Sequence, residues 1–598
     1  MSILALVIAL SASPDAIPAK VADRQDFQHP ANVRLSGMLG DRIEKNAGNR
    51  MLAIDVDRLL EGYRKRPGRQ AWDGEHVGKW LHAATLAWAN TGNPALRSKL
   101  DSAVAELLKC QLDDGYLGTY LPKDRWTEWD VWAHKYNLIG LLTYIRYTGN
   151  ETPLPACRKM VDLLCASFGD ESGKRDIITA GHHVGMAPTS VLEPMVLLYR
   201  LTGEKKYGDF CRYILRAWEQ PNGPKIVSRL LELKRVDKVG NAKAYEMLSC
   251  LNGLLEWYRV TGDVQYFEAA LNAWKDIVEN RLYITGTASA GEHFRGDHDL
   301  PNRGNVGETC VTVTWIQFNA QLLRLTGEAR FADELERSVY NQLCGAQRPD
   351  GKAWGYYVEM EGKKPYSATL DGHCCLSSGP RGMALIPTFA LTTDADGVVV
   401  NFYDAGKASL TLHDGTKVAV EVRGIFPASE KVEIIVNPEA EKAFAVKLRI
   451  PPWCSQPATL HAANGEPMPL ERGPAGYAEL KRTWKPGERL ELILPCQPRL
   501  VLGDHTNKGK AALQYGPLVL AVDQALSPVA IDDLAFTAAA AQAKPEAVPQ
   551  TPWTWPAVLR YAVALPDKKT GRETTVRMVP FATAGAEGSP YKVWLPMQ

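Results

Sequence analysis

Residues 247–262 read MLSCLNGLLEWYRVTG, and this stretch decides the fold. Its apolar residues at the spacing of one helix face are Met247, Leu251, Leu254, Leu255 and Tyr258. This spacing predicts an amphipathic helix that packs its apolar stripe inward. The stretch closes with Thr261 and Gly262, and a glycine just past the last apolar residue is a common C-terminal cap.

The same Thr-Gly ending recurs along the first two-thirds of the chain. The pairs begin at Thr91, Thr148, Thr202, Thr261 and Thr326. Each interval accommodates two helices, and a repeated helical pair builds either an open solenoid or a closed double ring. Over about 350 residues, five or six pairs fit an (α/α)6 barrel. We predict that this helical domain spans residues 21–387.

Beyond residue 388 the apolar period changes to two. Phe444, Val446 and Leu448 alternate with Ala445, Lys447 and Arg449, and Asp414-Gly415 is a hairpin-turn signal. We therefore predict a β-sandwich over residues 388–525. Residues 526–598 are predicted to hold a linker, centred on the Ala- and Pro-rich stretch 536–550, and terminal strands that complete a β-sandwich. The fold class is an α plus β multidomain protein.

Composition excludes several classes of function. Of 598 residues, 45% are hydrophobic and 23% charged, as in a soluble globular protein, and the net charge is +1. No long basic run is present, so we expect neither nucleic acid nor a membrane surface as a partner. Eleven irregularly spaced cysteines do not form the even set of a disulfide scaffold. The oligomeric state is not predicted.

The N-terminal residues 1–20 resemble a signal peptide. An apolar run over residues 1–10 is followed by small residues, and it is too short to span a membrane. The run lacks the preceding Lys or Arg of a usual signal. We expect a periplasmic or secreted protein, with the cytoplasm as the alternative.

Two short motifs carry the residues most able to bind a metal. Glu308-Thr309-Cys310 and His373-Cys374-Cys375 offer one carboxylate and three thiols, a full tetrahedral set for zinc. Thiolates favour zinc over magnesium and calcium. The spacing is not that of a zinc finger or ribbon, so buried structural cysteines are the alternative.

Several motifs then point to one family. They are Ile284-Thr285-Gly286, Glu292-His293-Phe294, Leu300-Pro301-Asn302, Glu308-Thr309-Cys310 and Cys374-Cys375, together with Gly78-Lys79-Trp80-Leu81, Tyr515-Gly516-Pro517-Leu518 and Tyr591-Lys592-Val593-Trp594. This set resembles the beta-L-arabinofuranosidase family, glycoside hydrolase family 127 and its close relatives. The resemblance favours the closed barrel. It implies a retaining exo-glycosidase that releases beta-L-arabinofuranose or a related sugar from plant cell-wall oligosaccharides.

The resemblance also assigns roles to residues. It implies that Zn²⁺ is held by Glu308, Cys310, Cys374 and Cys375. Cys374 would also be the nucleophile, and Glu292 the acid/base. Because an acid must carry a proton before it can donate one, we expect the pKa of Glu292 to be raised.

Pocket residues follow from the same resemblance. His134 matches a histidine that opens an inward-facing helix, with a core histidine bonded to a backbone carbonyl as the alternative. Tyr357 matches a pocket tyrosine. His76 and Glu75 are predicted to reach substrate from the first inner helix, or else to act as helix-capping or solvated residues.

Two positions depart from the family pattern. Thr189 and Lys243 stand where the arabinofuranosidases carry further histidines. A lysine would suit a carboxylated sugar, and some relatives act on aceric acid, so an acidic substrate is one hypothesis. A surface ion pair is the alternative for Lys243. Two other functions remain: lyase or isomerase chemistry in the same barrel, and a non-catalytic carbohydrate-binding protein with structural zinc.

Overall fold

The structure is a computed structural model that describes residues 15–369, 373–454, 456–542, 544–547 and 559–598. The apolar run of the predicted signal peptide lies outside these described residues. Among the helices of the described part, none has the length and apolar character needed to cross a bilayer.

Helices occupy most of the chain up to residue 390. They are α1 (Met38–Lys45), α2 (Val56–Arg64), α3 (Glu75–Thr91), α4 (Pro94–Lys109), α5 (Asp130–Thr148), α6 (Leu154–Ser167), α7 (Met186–Thr189), α8 (Leu192–Thr202), α9 (Lys205–Trp218), α10 (Ile226–Glu232), α11 (Ala244–Thr261), α12 (Val264–Asn280), α13 (Thr309–Thr326), α14 (Ala329–Arg337), α15 (Cys344–Ala346) and α16 (Cys375–Ala390).

The helices form two concentric rings. Helices α3, α5, α8, α11, α13 and α16 pack side by side in this order, and α16 returns to α3. The outer ring holds α4, α6, α9, α12 and α14, and α1 from the start of the chain packs behind α16. The predicted (α/α)6 barrel is therefore confirmed, with its sixth outer position supplied by the N-terminal segment.

The Thr-Gly pairs end five of the inner helices. The glycines Gly92, Gly149, Gly203, Gly262 and Gly327 have φ between 67° and 71°, the left-handed conformation that favours glycine. Each threonine hydroxyl donates to the carbonyl four residues earlier, as Thr261 does to Trp257 at 3.0 Å. Because outer helices return the chain, these corners share one end of the barrel, and the inner N-termini share the other.

A strap over residues 17–28 crosses the Thr-Gly end. Backbone amides of Ile17, Lys20 and Arg24 donate to the carbonyls of Arg200, Arg259 and Arg324, at 2.9, 2.8 and 2.7 Å. Each of these arginines precedes a Thr-Gly pair by two residues. The strap therefore supplies donors to carbonyls that helix ends leave without a partner.

The strands lie mostly after the barrel helices, but the first precedes them and the next three lie between α15 and α16. They are β1 (Val33–Leu35), β2 (Trp354–Gly355), β3 (Glu361–Gly362), β4 (Tyr366–Ser367), β5 (Leu391–Thr393), β6 (Gly397–Val400), β7 (Gly406–Thr411), β8 (Lys417–Arg423), β9 (Lys431–Pro438), β10 (Lys442–Arg449), β11 (Thr459–Ala462), β12 (Pro467–Met468), β13 (Tyr477–Trp484), β14 (Glu488–Ile493), β15 (Pro498–Leu502), β16 (Lys510–Tyr515), β17 (Leu518–Asp523), β18 (Lys544–Ala547), β19 (Leu559–Pro566), β20 (Glu573–Pro580), β21 (Tyr591–Lys592) and β22 (Leu595–Pro596).

Two sheets, ordered β1-β7-β8-β9-β14-β11-β12 and β13-β10-β6-β5, form a β-sandwich behind the barrel. Buried and exposed residues alternate along β7 and β8, as the period of two predicts. A further sheet runs β15-β16-β17-β20-β19-β18. Part of the predicted linker is instead a strand, because Lys544–Ala547 pairs antiparallel with β19; residues 543 and 548–550 of it lie outside the described residues.

The last strands return to the barrel. Tyr591–Lys592 pairs on one side with β17 and on the other with Glu361–Gly362, in a loop that enters the barrel. The amide of Val593 donates to the carbonyl of Met360 at 3.0 Å. The C-terminal sheet thus supports the loop that follows residue 353.

Candidate active site

A pocket lies at the end of the barrel where the inner helices begin. Its wall consists of Trp72, Glu75, Trp129, Trp132, Lys243, Tyr245, Glu246, Glu292, Glu308, Tyr356 and Cys374. Glu308 is the N-cap residue of α13 and Cys374 is the N-cap residue of α16, and neither side chain caps its helix with a hydrogen bond. Free amides at a helix N-terminus favour negative charge, so this end of the barrel is suited to anionic groups.

The predicted metal-binding residues converge. Ligand atoms of Glu308, Cys310, Cys374 and Cys375 all lie within 4.8 Å of one another. The Cys310 sulfur is 3.4 Å from that of Cys374 and 3.2 Å from that of Cys375. The Cys375 sulfur lies 4.0 Å from Glu308 Oε1. None of the eleven cysteines, all of which lie in the described ranges, forms a disulfide.

This cluster fits a zinc ion. Bonds of ~2.3 Å would place the sulfurs about 3.8 Å apart, so a widening of a few tenths of an ångström admits the ion. The second carboxylate oxygen of Glu308, Oε2, is buried without a hydrogen-bond partner among the described residues. Burial raises the pKa of Glu308, Cys310 and Cys375. The protein alone therefore does not offset the cost of burying their negative charges. A bound dication would offset that cost.

Cys374 differs from the other two cysteines. Hydrogen bonds from Cys310 and Cys375 hold the pKa of its thiol well below the usual value. Its sulfur is 3.5 Å from the hydroxyl oxygen of Tyr356, and it borders the pocket. Cys374 is therefore the sulfur of the cluster that can both remain a thiolate and reach a substrate.

Glu292 faces Cys374 across Tyr356. The hydroxyl of Tyr356 donates to Glu292 Oε1 at 2.9 Å, and Tyr357 donates to the same oxygen. The Lys243 ammonium donates to Oε2 at 2.7 Å. Both carboxylate oxygens are thus fixed by donors, and one of those donors also contacts the candidate nucleophile.

The expected rise in the pKa of Glu292 is wrong for this structure. Burial alone would raise it, but the Lys243 ammonium and the hydroxyls of Tyr357 and Tyr356 lower it below the usual value. The sequence-based expectation did not take account of the Lys243 ammonium, which lowers the pKa of Glu292. Lys243 itself is neither a free pocket cation nor a surface residue, because its buried ammonium also lies 3.6 Å from Glu246.

Comparison with known proteins places these residues in a family. The model for "Beta-L-arabinofuranosidase, GH127 catalytic domain" matches residues 32–388, and that for the GH127 middle domain matches residues 397–496. The chain belongs to glycoside hydrolase family 127. It is therefore a glycoside hydrolase, which disfavours the lyase, isomerase and binding-protein interpretations.

Relatives of this family 127 enzyme cover most of its length. A non-reducing end beta-L-arabinofuranosidase from Bifidobacterium longum subsp. longum is 29% identical in an alignment of length 514, and the match covers 76% of this chain and 75% of that protein. A solved GH127 beta-arabinofuranosidase gives a TM-score of 0.82 at 21% identity, covering 96% of this chain and 98% of the other. A GH127 beta-L-arabinofuranosidase from Geobacillus stearothermophilus T6 gives 0.77 at 21%, covering 95% and 100%. The two structures establish the shared fold.

Two predicted substrate-binding histidines of the family 127 enzyme lie outside the pocket wall. His134 is fully buried, and its Nδ1 is 2.8 Å from the carbonyl oxygen of Asp130 in its own helix. This contact is the one described by the alternative of a core histidine, and the role of His134 in substrate binding stays a prediction. His76 is buried one residue after Glu75, with Nδ1 3.0 Å from Ser377 Oγ. Thr189 is buried beneath Trp218, whose indole donates to it at 2.7 Å.

Sequence reasoning missed several pocket residues. Tyr356 adjoins the predicted Tyr357, and the pair of tyrosines was the available signal. Of the two residues predicted at the start of α3, Glu75 lines the pocket and His76 does not. Trp129 and Trp132 form an aromatic wall with ring centroids 5.6 Å apart. Their sequence, Trp129-Asp130-Val131-Trp132, has a spacing of three that places both indoles near the start of α5.

Proposed function

We propose that this hydrolase is a retaining exo-glycosidase that releases a neutral sugar, beta-L-arabinofuranose or a close relative, from plant cell-wall oligosaccharides. The observation that carries the proposal is the line from Cys374 through Tyr356 to Glu292, with contacts of 3.5 and 2.9 Å, on the wall of one pocket. A nucleophile and an acid/base facing one cavity are the two groups that retaining hydrolysis requires.

In the first step, the Cys374 sulfur attacks the anomeric carbon while the bond to the leaving oxygen breaks. Glu292 gives its proton to that oxygen, and a thioglycoside forms on Cys374. In the second step, Glu292 removes a proton from water, the water oxygen bonds to the anomeric carbon, and the carbon–sulfur bond breaks. Two inversions give net retention.

We propose that Glu308, Cys310, Cys374 and Cys375 hold zinc. When bound, zinc would keep the sulfur of Cys374 deprotonated at neutral pH. The residues on the opposite side of the pocket position the sugar. Indole rings such as those of Trp129 and Trp132 offer apolar faces to the C–H groups of a sugar.

The charges around the pocket favour a neutral sugar. The Lys243 ammonium already contacts Glu292 at 2.7 Å and Glu246 at 3.6 Å. Glu75 and Glu246 also line the wall. A substrate carboxylate would therefore meet like charges and would have to separate an existing ion pair. This charge arrangement argues against the hypothesis of an acidic sugar, which the presence of a lysine at position 243 suggested.

The test is hydrolysis of nitrophenyl glycosides, with the beta-L-arabinofuranoside compared with acidic sugars. We expect the neutral furanoside to be cleaved with retention, as seen by NMR of the first product formed. Cys374→Ser should abolish turnover and keep the fold. Cys110→Ser, which changes a half-buried cysteine at the end of α4, is the matched control and should stay active. Cleavage of acidic sugars alone, or an active Cys374→Ser, would contradict the proposal.

A further inference from the structure

Lys243 and Glu292 are connected in two ways: their side chains form an ion pair, and the backbone segments that contain them are hydrogen-bonded to each other. Lys243 precedes helix α11 as its N-cap residue. The amide of Ala244 donates to the carbonyl of Glu292 at 3.0 Å, and the amide of Phe294 donates to that of Ala242 at 2.9 Å. These bonds hold the Glu292 backbone, which has φ of 66°, beside the start of α11. The ion pair is therefore built into the framework of the barrel.

The side chains of the pair are shielded from water. The side chain of Lys243 is 7% exposed and that of Glu292 is 25% exposed, with the nitrogen 2.7 Å from Oε2. In such surroundings an ion pair is screened less than on the surface. With one oxygen bound by the ammonium and the other by two tyrosines, the carboxylate has a single fixed orientation.

We propose that Lys243 is a positioning residue that aligns the Glu292 carboxylate through a shielded ion pair and, as the cation in contact with that carboxylate, sets the pH range over which Glu292 can donate a proton. This inference rests on the proposed role of Glu292 as the acid/base. It gives Lys243 a function in setting the pH range of the reaction and removes it from direct recognition of the sugar.

Groups from each surrounding element act on this carboxylate. They are Lys243 and Glu246 on α11, Glu308 before α13, Tyr356 and Tyr357 on the loop that β21 supports, and Cys374 before α16, with His183 3.9 Å beyond Glu246. The carboxylates and the thiolate oppose ionisation of Glu292, whereas the ammonium favours it. Lys243 prevails because it alone among these groups is a cation in direct contact, and the net pKa of Glu292 is lowered.

Lys243 is itself stable as a cation. Burial alone would lower the pKa of Lys243, but Glu246, Glu308 and Glu292 raise it well above the usual value. The ammonium therefore stays charged throughout the range in which Glu292 titrates. Glu246 shares this charge, because its Oε2 is 3.6 Å from the same nitrogen.

The two half-reactions require opposite states of Glu292. Cleavage of a poor leaving group needs the acid form, and attack by water needs the base form. Activity on such a substrate should therefore fall as pH rises through the pKa of Glu292. A nitrophenol leaves without protonation, so its release should not show this fall.

The test compares pH profiles of kcat/KM for the natural disaccharide in wild type, Lys243→Met and Lys243→Arg. In Lys243→Met the cation is absent, so the pH at which kcat/KM falls on the basic side (the basic limb) should be higher than in wild type by roughly 1 to 2 pH units. Lys243→Arg, which keeps the charge, should retain the wild-type limb. A limb that does not move in Lys243→Met, or that moves equally in both variants, would overturn the inference while leaving the glycosidase function intact.

A second measurement does not depend on turnover. Infrared difference spectra against Glu292→Gln, recorded over a range of pH on ¹³C-glutamate-labelled protein, isolate the carboxylate band of Glu292. We expect this band to titrate at lower pH in wild type than in Lys243→Met. If the band titrates identically in both proteins, the inference fails. An inactive wild type with the expected band shift would refute the proposed reaction and not the pairing.

Discussion

Tyr356→Phe is the substitution that most directly tests how the site is connected. It removes one hydroxyl, which donates to Glu292 Oε1 at 2.9 Å and lies 3.5 Å from the Cys374 sulfur. Burial and the neighbouring thiols raise the pKa of Tyr356 far above the usual value, so the group acts as a donor at any working pH. The ring remains, so packing is preserved.

The expected loss follows from the bonds removed. A hydrogen bond to a charged group contributes about 1.5–3 kcal/mol. At ~1.4 kcal/mol per decade, Tyr356→Phe should lower kcat/KM about tenfold to a hundredfold. Part of this loss concerns the nucleophile, so it should persist with a nitrophenyl substrate, for which protonation by Glu292 matters little.

Tyr357→Phe is the matched control. Its hydroxyl donates to the same oxygen of Glu292, and among the described residues it makes no hydrogen bond to a sulfur. It should therefore impair cleavage of a natural disaccharide and spare the nitrophenyl glycoside. The assay is steady-state kinetics of both variants on both substrates. Equal losses in the two variants on the nitrophenyl substrate would refute the idea that Tyr356 links the two catalytic groups.

Three further outcomes are expected. Glu308→Ala should lower the zinc content of purified protein from about one per chain, and unchanged elemental analysis would remove Glu308 from the ligand set. Glu292→Gln should lose far more activity on a natural disaccharide than on a nitrophenyl glycoside, since only the former needs a proton donor; similar losses would exclude it as the acid. Gly262→Ala, at φ of 70°, should destabilise the barrel by ~1 kcal/mol and lower its Tm, whereas Gly48→Ala, where a Cβ meets no atom within 4 Å, should not.

Local sequence signals predicted the barrel because each helical repeat contains its own helix-termination signal, the Thr-Gly pair. The Thr-Gly pairs terminate helices through bonds within five residues, so the pattern is visible without knowledge of the partner helices. The strap across residues 17–28 has no such signal. Its backbone amides bind carbonyls far along the chain, and any sequence can supply those amides.

The site was predictable to the extent that residue type alone indicates chemistry. Three cysteines and a glutamate have few joint uses other than metal binding, and they do converge. The state of Glu292 was not predictable, because it depends on a lysine 49 residues away whose position is set by pairing of residues 242–244 with 292–294. The role of His134 stays a prediction for a related reason: matching a motif position does not determine whether a ring lies on the wall of the cavity or in the core.

The C-terminal sheet supports the loop that carries two of the donors to Glu292, although no pocket residue in the described chain comes from it. Tyr356 and Tyr357 lie on a loop whose later residues, Glu361–Gly362, pair with Tyr591–Lys592. The Tyr591 hydroxyl also donates to the carbonyl of Glu359 at 2.5 Å. Because a hydrogen bond tolerates only tenths of an ångström of displacement, the position of this loop matters for two hydroxyls that share one carboxylate oxygen. The barrel holds the loop through the amides of Thr309 and Val358, which donate to the carbonyls of Tyr356 and Gly307, and the terminal strand adds a further support at residues 361–362.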